Sequence, residues 1–248
     1  MEGAAVLGRL SWQRATVVGL REETATARTL TLEVDGWSGH RPGQHVDVRL
    51  TAPDGYTAVR PYSIATPVNG SRIDVTVALV EDGEVSSYLV SGTEVGTEME
   101  VRGPLGGWFV WNRDDPVPVQ LIGGGVGVAP LMAMLREHGG VAERHPMRLL
   151  YSTRSPETLL YATELASRTQ NPVPASAVTI MYTRNAPDTA ARPAGRLTGS
   201  DIAAYGLPPT PRTRCYVCGP TGFVEAAVEL LLKAGLATDN IRTERFGP

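Results

Sequence analysis

Two patterns of hydrophobic and polar positions divide the chain. From Ala15 to about Trp111, apolar and polar residues alternate in short β-branched runs broken by Gly, Pro, Asp and Asn, most clearly in Thr29–Val34, His45–Leu50 and Ile73–Leu79. Alternation at period two puts every second side chain on one face, and strands this closely spaced, with turn residues between them, predict a small antiparallel barrel or sandwich. One or two helical turns near Val85 to Leu89 interrupt it. After Asn112-Arg113-Asp114-Asp115-Pro116 the pattern changes to apolar strands followed by amphipathic helices. Val119–Ile122, Arg148–Tyr151, Val178–Tyr182 and Cys215–Cys218 predict four strands. Leu131, Met134 and Leu135 mark a helix face ending at Gly139, and Gly235 can cap a helix through Val224, Val228 and Leu231. Ser155-Pro156-Glu157 reads as an N-cap, an N1 proline and a first-turn acid. The fold expected is an N-terminal antiparallel β-barrel over residues 11–112, then a doubly wound parallel-sheet α/β domain over residues 117–248 with right-handed crossovers. Ligands of such sheets bind beyond the carboxyl ends of the strands. Residues up to about Leu10 are expected to form a loosely held terminus.

Composition narrows the function classes. A chain of 248 residues, 42% hydrophobic and 20% charged, can bury one large or two modest cores and is neither disordered nor fibrous. A net charge of -3 spread over mixed signs supplies no basic field for nucleic acid. No apolar run approaches the roughly 18 residues of a membrane span, and the amino terminus lacks a secretory pattern, so a cytoplasmic location is expected. The two cysteines, Cys215 and Cys218, form a C-x-x-C. Two thiols cannot supply the four ligands of a closed zinc site or an iron-sulfur cluster, and alternation puts them on different sides of the pleat or at different depths. No metal is expected.

Five motifs carry candidate chemistry. In Arg60-Pro61-Tyr62-Ser63-Ile64-Ala65, alternation places Arg60 and Tyr62 on one face, able to meet a phosphate and stack on a ring, with Ser63 at the adjoining edge; an ordinary barrel strand reads the same. Gly83-Glu84-Val85-Ser86 enters a helical stretch whose free N–H groups suit a pyrophosphate, as would any capped helix start. Gly123-Gly124-Gly125-Val126-Gly127-Val128-Ala129-Pro130 does not fit G-x-G-x-x-G, because Val128 stands three after Gly125. Its strand-before, helix-after context nevertheless favours close backbone approach to a pyrophosphate over a plain structural turn. Cys218-Gly219-Pro220-Thr221-Gly222 puts a small polarizable side chain and a close-approach backbone at another strand end, where a flat ring could lie; a packed cysteine before a turn is the alternative. Arg242-Thr243-Glu244-Arg245-Phe246-Gly247-Pro248, taken by itself, reads as frayed surface.

In this order and spacing the five motifs resemble those of the ferredoxin-NADP reductase family, over nearly the whole chain from about Ser11 to Pro248. The resemblance implies a flavin-binding barrel and a nucleotide-binding α/β domain, with FAD in preference to FMN. Arg60 would pair with flavin phosphate, Pro61 and Tyr62 would pack at the isoalloxazine, and Ser63 would hydrogen-bond near its N5 edge. Val77 and Leu79, closing the Ile73–Leu79 run, would belong to the flavin site, and Gly83, Val85 and Ser86 would meet the pyrophosphate. Gly124, Gly125 and Gly127 would receive the nicotinamide dinucleotide, with Cys218, Gly219 and Pro220 beside its ring and Phe246 covering the flavin. Ser63, Cys218 and Glu244 are the implied catalytic positions; Glu244 reads equally as a proton relay or a surface carboxylate. The cofactors carry the chemistry, provided that nicotinamide C4 comes within about 3–3.5 Å of flavin N5.

An acid ending the second parallel strand would favour the ribose diol of NAD. Here that strand ends Ser152-Thr153-Arg154 and the next Thr183-Arg184. Two arginines there favour the 2'-phosphate of NADPH over NADH, although both also read as solvated loop residues. The expected function is hydride transfer from NADPH, or NADH, to FAD, and onward delivery of electrons to a ferredoxin, flavodoxin or oxygenase component. A reductase of small acceptors such as free flavin or quinone, and a non-autonomous electron-transfer subunit, are the alternatives. Several members of the family carry a fused iron-sulfur domain; nothing of that kind follows Phe246, so any such centre is expected on a separate protein.

Overall fold

A computed structural model describes residues 11–139, 145–170 and 176–247. The expected loose terminus up to Leu10, and Pro248, lie outside the described residues. Six strands, β1 (Gln13–Thr24), β2 (Ala27–Val34), β3 (His45–Thr51), β4 (Thr57–Ser63), β5 (Arg72–Ala78) and β6 (Glu98–Leu105), form an antiparallel sheet in the order β4-β3-β6-β1-β2-β5. Its two edges meet: Ile64 bridges to Val75, and Ala65 N–H donates to the Asp74 carbonyl at 2.8 Å. That contact closes the sheet and decides between barrel and sandwich. The alternating apolar residues fill the interior, among them Val17, Leu30, Leu32, Val46, Val48, Val77 and Val101, each with no exposed surface. The predicted helical interruption is a short helix α1 (Glu84–Ser87) that widens into a π turn over Tyr88–Gly92.

The second sheet is parallel throughout, in the order β11-β10-β7-β8-β9, built from β7 (Val119–Gly124), β8 (Met147–Thr153), β9 (Ser176–Tyr182), β10 (Arg214–Pro220) and β11 (Ile241–Phe246). Four of these strands are the predicted ones. The fifth corrects the reading of the carboxyl-terminal segment as frayed surface: Ile241 to Phe246 pair in register with Cys215 to Pro220. An edge strand has only one neighbour, so its side chains remain polar and hide the strand from a hydrophobic pattern. Strand order reverses between β7 and β10, and that is where such a sheet accepts ligands.

Helix α2 (Val128–His138) follows β7 and stops at Gly139, in the left-handed conformation at φ 64°. Ser155, Pro156 and Glu157 begin a single 3-10 turn with a capping box rather than a full helix, and α3 (Ala162–Gln170) comes after it. Helix α4 (Gly199–Tyr205) and helix α5 (Thr221–Lys233) pack with the face of the sheet that carries Cys215, and Cys218 lies in the core on the other face. The two thiols therefore point apart, as alternation requires. The apolar core around α2 includes Ala27 and Ala65 of the barrel together with Phe109 and Trp111, so the two halves share one continuous seam.

Gly43 anchors that seam. Its φ is 94°, and a Cβ there would stand 2.1 Å from the Phe109 carbonyl oxygen and 2.8 Å from Met134 of α2. Gly43→Ala is expected to lower stability by about 2–4 kcal/mol, combining a left-handed side chain with an overpacked contact. Chemical denaturation of the purified protein measures it; a loss below about 0.5 kcal/mol would mean that the seam yields freely.

Candidate functional site

The carboxyl ends of β7, β8, β9 and β10 open onto a cleft of about 360 Å³ whose opposite wall is the barrel. Gly124, Gly125, Thr153, Arg154, Thr183 and Pro220, all candidate nucleotide-site residues, line it, as do Leu79, which the resemblance placed in the flavin site, and Val126 and Phe223, which were not candidates. Gly125, at φ 55° with open space around its Cα, can take a ligand against its backbone. A Cβ on Gly124 would lie 2.6 Å from the Phe223 ring, so that position admits no larger residue.

Gly127 plays a different part from the one expected. It is buried and outside the cleft wall, and a Cβ there would stand 2.4 Å from the Cys218 carbonyl oxygen and 2.5 Å from Gly219 N. Its missing side chain lets the turn after β7 touch β10 backbone to backbone at the switch point.

Thr153 faces inward, its hydroxyl 2.9 Å from that of Thr158 and 3.0 Å from the Thr158 carbonyl, and so holds the 3-10 turn. Arg154 and Arg184 are exposed, and the Arg184 and Asn185 N–H groups both donate to the Arg154 carbonyl, at 2.9 and 3.2 Å. Arg154 lines the cleft, and the backbone pairing sets Arg184 in the same loop cluster. Neither forms an ion pair among the described residues.

The Arg60–Ser63 segment lies on β4, outside that cleft. Arg60 and Tyr62 share a face, opposite Val48 and Val46 of β3. Arg60 is exposed and donates to its neighbour's carbonyl at 2.8 Å, and Pro61 is exposed beside it. Tyr62 packs on the barrel core, and burial pushes its phenol up to about 12, so the hydroxyl stays protonated.

At the pyrophosphate turn the side chains are engaged within the protein, which leaves the backbone, as the sequence reading expected, for a phosphate. The Ser86 hydroxyl is already used, accepting from Val80 N–H and donating to the Gly83 carbonyl, each at 3.1 Å. The Val85 side chain lies in the barrel core. Gly83 keeps the turn tight, since a Cβ would be 2.6 Å from Ser86 Oγ. What this turn can offer a phosphate is backbone. The Val77 side chain is wholly inside the barrel.

The two halves of the site meet at His45, a residue the sequence reading passed over. His45 is the register partner of Ser63, and its Nδ1 stands 3.8 Å from Glu244 Oε1 on β11. Glu244 is in turn the register partner of Cys218. His45 Nδ1, Ser63 Oγ and Glu244 Oε2 are buried without a hydrogen-bond partner. The 3.8 Å spacing would suit an ion pair, but burial pushes the carboxyl up to about 7 and the imidazole down, so neutral forms of both are favoured in mildly acidic solution. Cys218 has no exposed surface, and burial followed by the nearby Glu244 carboxyl raises its thiol well above the usual range. Gly219 packs against Phe223 and Gly124, and Phe246 is half-buried against the core cluster that contains Cys218.

Residues 18–110 match the oxidoreductase FAD-binding domain family and residues 121–229 the oxidoreductase NAD-binding domain family. The chain belongs to the ferredoxin-NADP reductase family. It is 28% identical, over 95% of its length and 69% of the relative's, to the ferredoxin-NAD(P)+ reductase component of the naphthalene 1,2-dioxygenase/salicylate 5-hydroxylase systems of a Ralstonia species. With the reductase component of propane 2-monooxygenase from Rhodococcus jostii it shares 26% identity over 92% of its own length, and it spans 60% of that relative. Among solved structures, the flavohem-like FAD/NAD-binding domain of nitric oxide dioxygenase from Vibrio cholerae superposes with a TM-score of 0.83 at 26% identity, over 97% of this chain and 100% of that one.

For a ferredoxin-NADP reductase family member, FAD and a nicotinamide dinucleotide are the cofactors. The residues fit them. Three buried polar atoms without partners converge where the flavin motif meets the second sheet, and a glycine-walled cleft opens beside them. Among the described residues no helix is long and apolar enough to cross a membrane.

The Glu244 carboxyl yields a pH test. A folded value near 7 against an ordinary 4.5 means that the folded state holds a proton the unfolded chain has released. Its contribution is complete below about 4.5 and is lost as pH rises through about 7. Denaturation of the flavin-free protein between about pH 5 and 8 should therefore show stability falling with pH, and Glu244→Gln should remove that part of the slope. Equal slopes in the two proteins would mean that the carboxylate is already ionised across this range.

Proposed function

We propose that the protein takes hydride from NADPH onto FAD and passes the electrons singly to a separate protein acceptor, a ferredoxin, flavodoxin or oxygenase component. The observation that carries this reading is the Glu244–His45 contact, because it brings the carboxyl end of the nucleotide-binding sheet to the residue beside Ser63 of the flavin motif. The chain spans 60–69% of the two curated relatives named, both of them reductase components of oxygenase systems, so the acceptor belongs to this proposal.

Bound flavin and nicotinamide supply the hydride and electron chemistry, and this chain positions them. Tyr62 and Arg60 offer one face for a ring and a phosphate, and Gly83 offers backbone for the pyrophosphate. The Ser63 hydroxyl, buried and otherwise unsatisfied, provides a hydrogen bond at the flavin edge where negative charge develops. Glu244, protonated up to about pH 7, holds a proton near that edge with His45 beside it. Arg154 and Arg184, exposed in one loop cluster, select a 2'-phosphate and so favour NADPH over NADH.

Anaerobic titration of the flavin-loaded protein with NADPH and, separately, NADH tests the reading through the absorbance band near roughly 450 nm. Rapid bleaching by NADPH is the expected result. A flavin that resists both nucleotides would point to a docking subunit instead. Arg60→Ala with Tyr62→Ala should abolish flavin retention, and a double variant that stays fully yellow would put the flavin elsewhere. Arg184→Ala should raise KM for NADPH about tenfold and that for NADH by less than about twofold, through loss of one charge-assisted contact. Equal rises would remove Arg184 from the 2'-phosphate site.

A further inference from the structure

Beside the cleft, a closed ring of hydrogen bonds joins the two domains. Tyr161, between the 3-10 turn and α3, is buried and holds φ 55°, a left-handed conformation costly for a residue with a side chain. Its N–H donates to Glu23 Oε2 of β1 at 2.9 Å, and its hydroxyl lies 2.5 Å from Thr76 Oγ1 of β5. Thr76 Oγ1 is 2.7 Å from Thr29 Oγ1 of β2, its register partner, and Thr29 donates to Glu23 Oε1 at 2.7 Å.

Proton counting gives the ring a direction. Glu23, its side chain 4% exposed and paired with Arg21 at 2.8 Å, can only accept while ionised. Thr29 spends its one proton on Glu23 and must accept from Thr76; Thr76 in turn accepts from Tyr161. Every hydroxyl is satisfied in one arrangement only, so the ring resists rotation as well as separation. Arg136 of α2 reinforces it, lying 5.0 Å over the Tyr161 ring and donating to the Ala65 carbonyl at 2.7 Å, two residues beyond Ser63. Glu164 of α3 holds the same guanidinium at 2.5 Å.

We propose that Tyr161, through Thr76, Thr29 and Glu23, is a positioning residue that fixes the angle between the domains, and with it the approach of the nicotinamide to the flavin. This rests on the hydride-transfer reading above. The ring lies against the cleft: Thr24, Thr26, Ala27 and Ala78 of the barrel wall flank Glu23, Thr29 and Thr76 in sequence, and Leu160 of the wall precedes Tyr161. A small rotation here displaces one cleft wall against the other while leaving each domain's own ligand contacts intact. The expected signature is a loss in the hydride step without a loss in binding.

The test is anaerobic stopped-flow reduction of the FAD-loaded protein by whichever nicotinamide nucleotide bleaches the wild type, comparing Tyr161→Phe, Thr76→Val and Thr76→Ser. The first two should lower the limiting reduction rate about ten- to a hundredfold, the scale of an ångström-sized misplacement, with nucleotide Kd changed less than about twofold. Flavin content and bleaching by dithionite should be unchanged, and the isotope effect with 4-deuterated nucleotide should increase. Thr76→Ser, which keeps the hydroxyl, should restore most of the rate. Limiting rates within about twofold of wild type in both Tyr161→Phe and Thr76→Val, or losses that only follow flavin content or Kd, would overturn the positioning role alone. A wild-type flavin that neither nucleotide bleaches would overturn the reductase reading, and this one with it.

Discussion

The site depends on one backbone contact. Where strand order reverses between β7 and β10, the turn after β7 packs so closely on the carboxyl end of β10 that Gly127 has no room for a side chain, its Cβ position being 2.4 Å from the Cys218 carbonyl oxygen. This contact brings the glycine-rich backbone of one strand end against Cys218–Pro220 at the other. The cleft can then present main-chain atoms at close range. The same β10 backbone carries β11 at its outer edge, so Glu244 reaches the flavin motif because Cys218 is fixed from the opposite side.

Burial then sets the electrostatics. Glu244 and His45 approach one another without countercharges close enough to hold them ionised, so desolvation dominates both and pushes their pKa values in opposite directions. The outcome in mildly acidic solution is a carboxylic acid beside a neutral imidazole. Ionising either group would place an uncompensated charge in a region of low polarity. A protonated acid and an unsatisfied serine hydroxyl are both potential donors, which suits a neighbour that becomes electron-rich on reduction. The exposed Arg154 and Arg184 lie elsewhere, in one loop cluster, where solvent screening weakens long-range attraction and selectivity for an anion would come from direct contact.

Much of this was legible in the sequence because it rests on backbone demands. Glycines after an apolar strand, a Pro at a helix start and alternating β-branched runs each have few structural uses, and all of them read correctly as elements. His45 escaped because a single polar residue opening the run His45-Val46-Asp47-Val48 is what any half-exposed strand looks like. Its importance comes from β11, and β11 itself was hidden by the polar side chains of an edge strand. Gly127 was assigned to a ligand because glycine signals close approach without saying to what; here the approaching group is the protein's own chain. Val85, Ser86 and Val77 were placed correctly along the chain, but their side chains serve the barrel. Tyr161 gave no sign, since a left-handed aromatic is produced by tertiary contacts that no local pattern encodes.

The seam between the domains uses two kinds of interaction, and they do different work. The apolar cluster running from Ala27 and Ala65 through Phe109 to α2 holds the halves together, but hydrophobic contact is non-directional and allows a range of angles at nearly equal cost. Hydrogen bonds weaken steeply with misalignment. A ring in which the Tyr161, Thr76 and Thr29 hydroxyls each donate to one fixed acceptor therefore discriminates among those angles. The Ala65 carbonyl takes part in both, since its residue lies in the apolar seam while its oxygen accepts from Arg136. Adhesion and alignment thus converge at the strand that carries the flavin motif, where a rotation of the nucleotide domain would alter the distance that hydride transfer depends on.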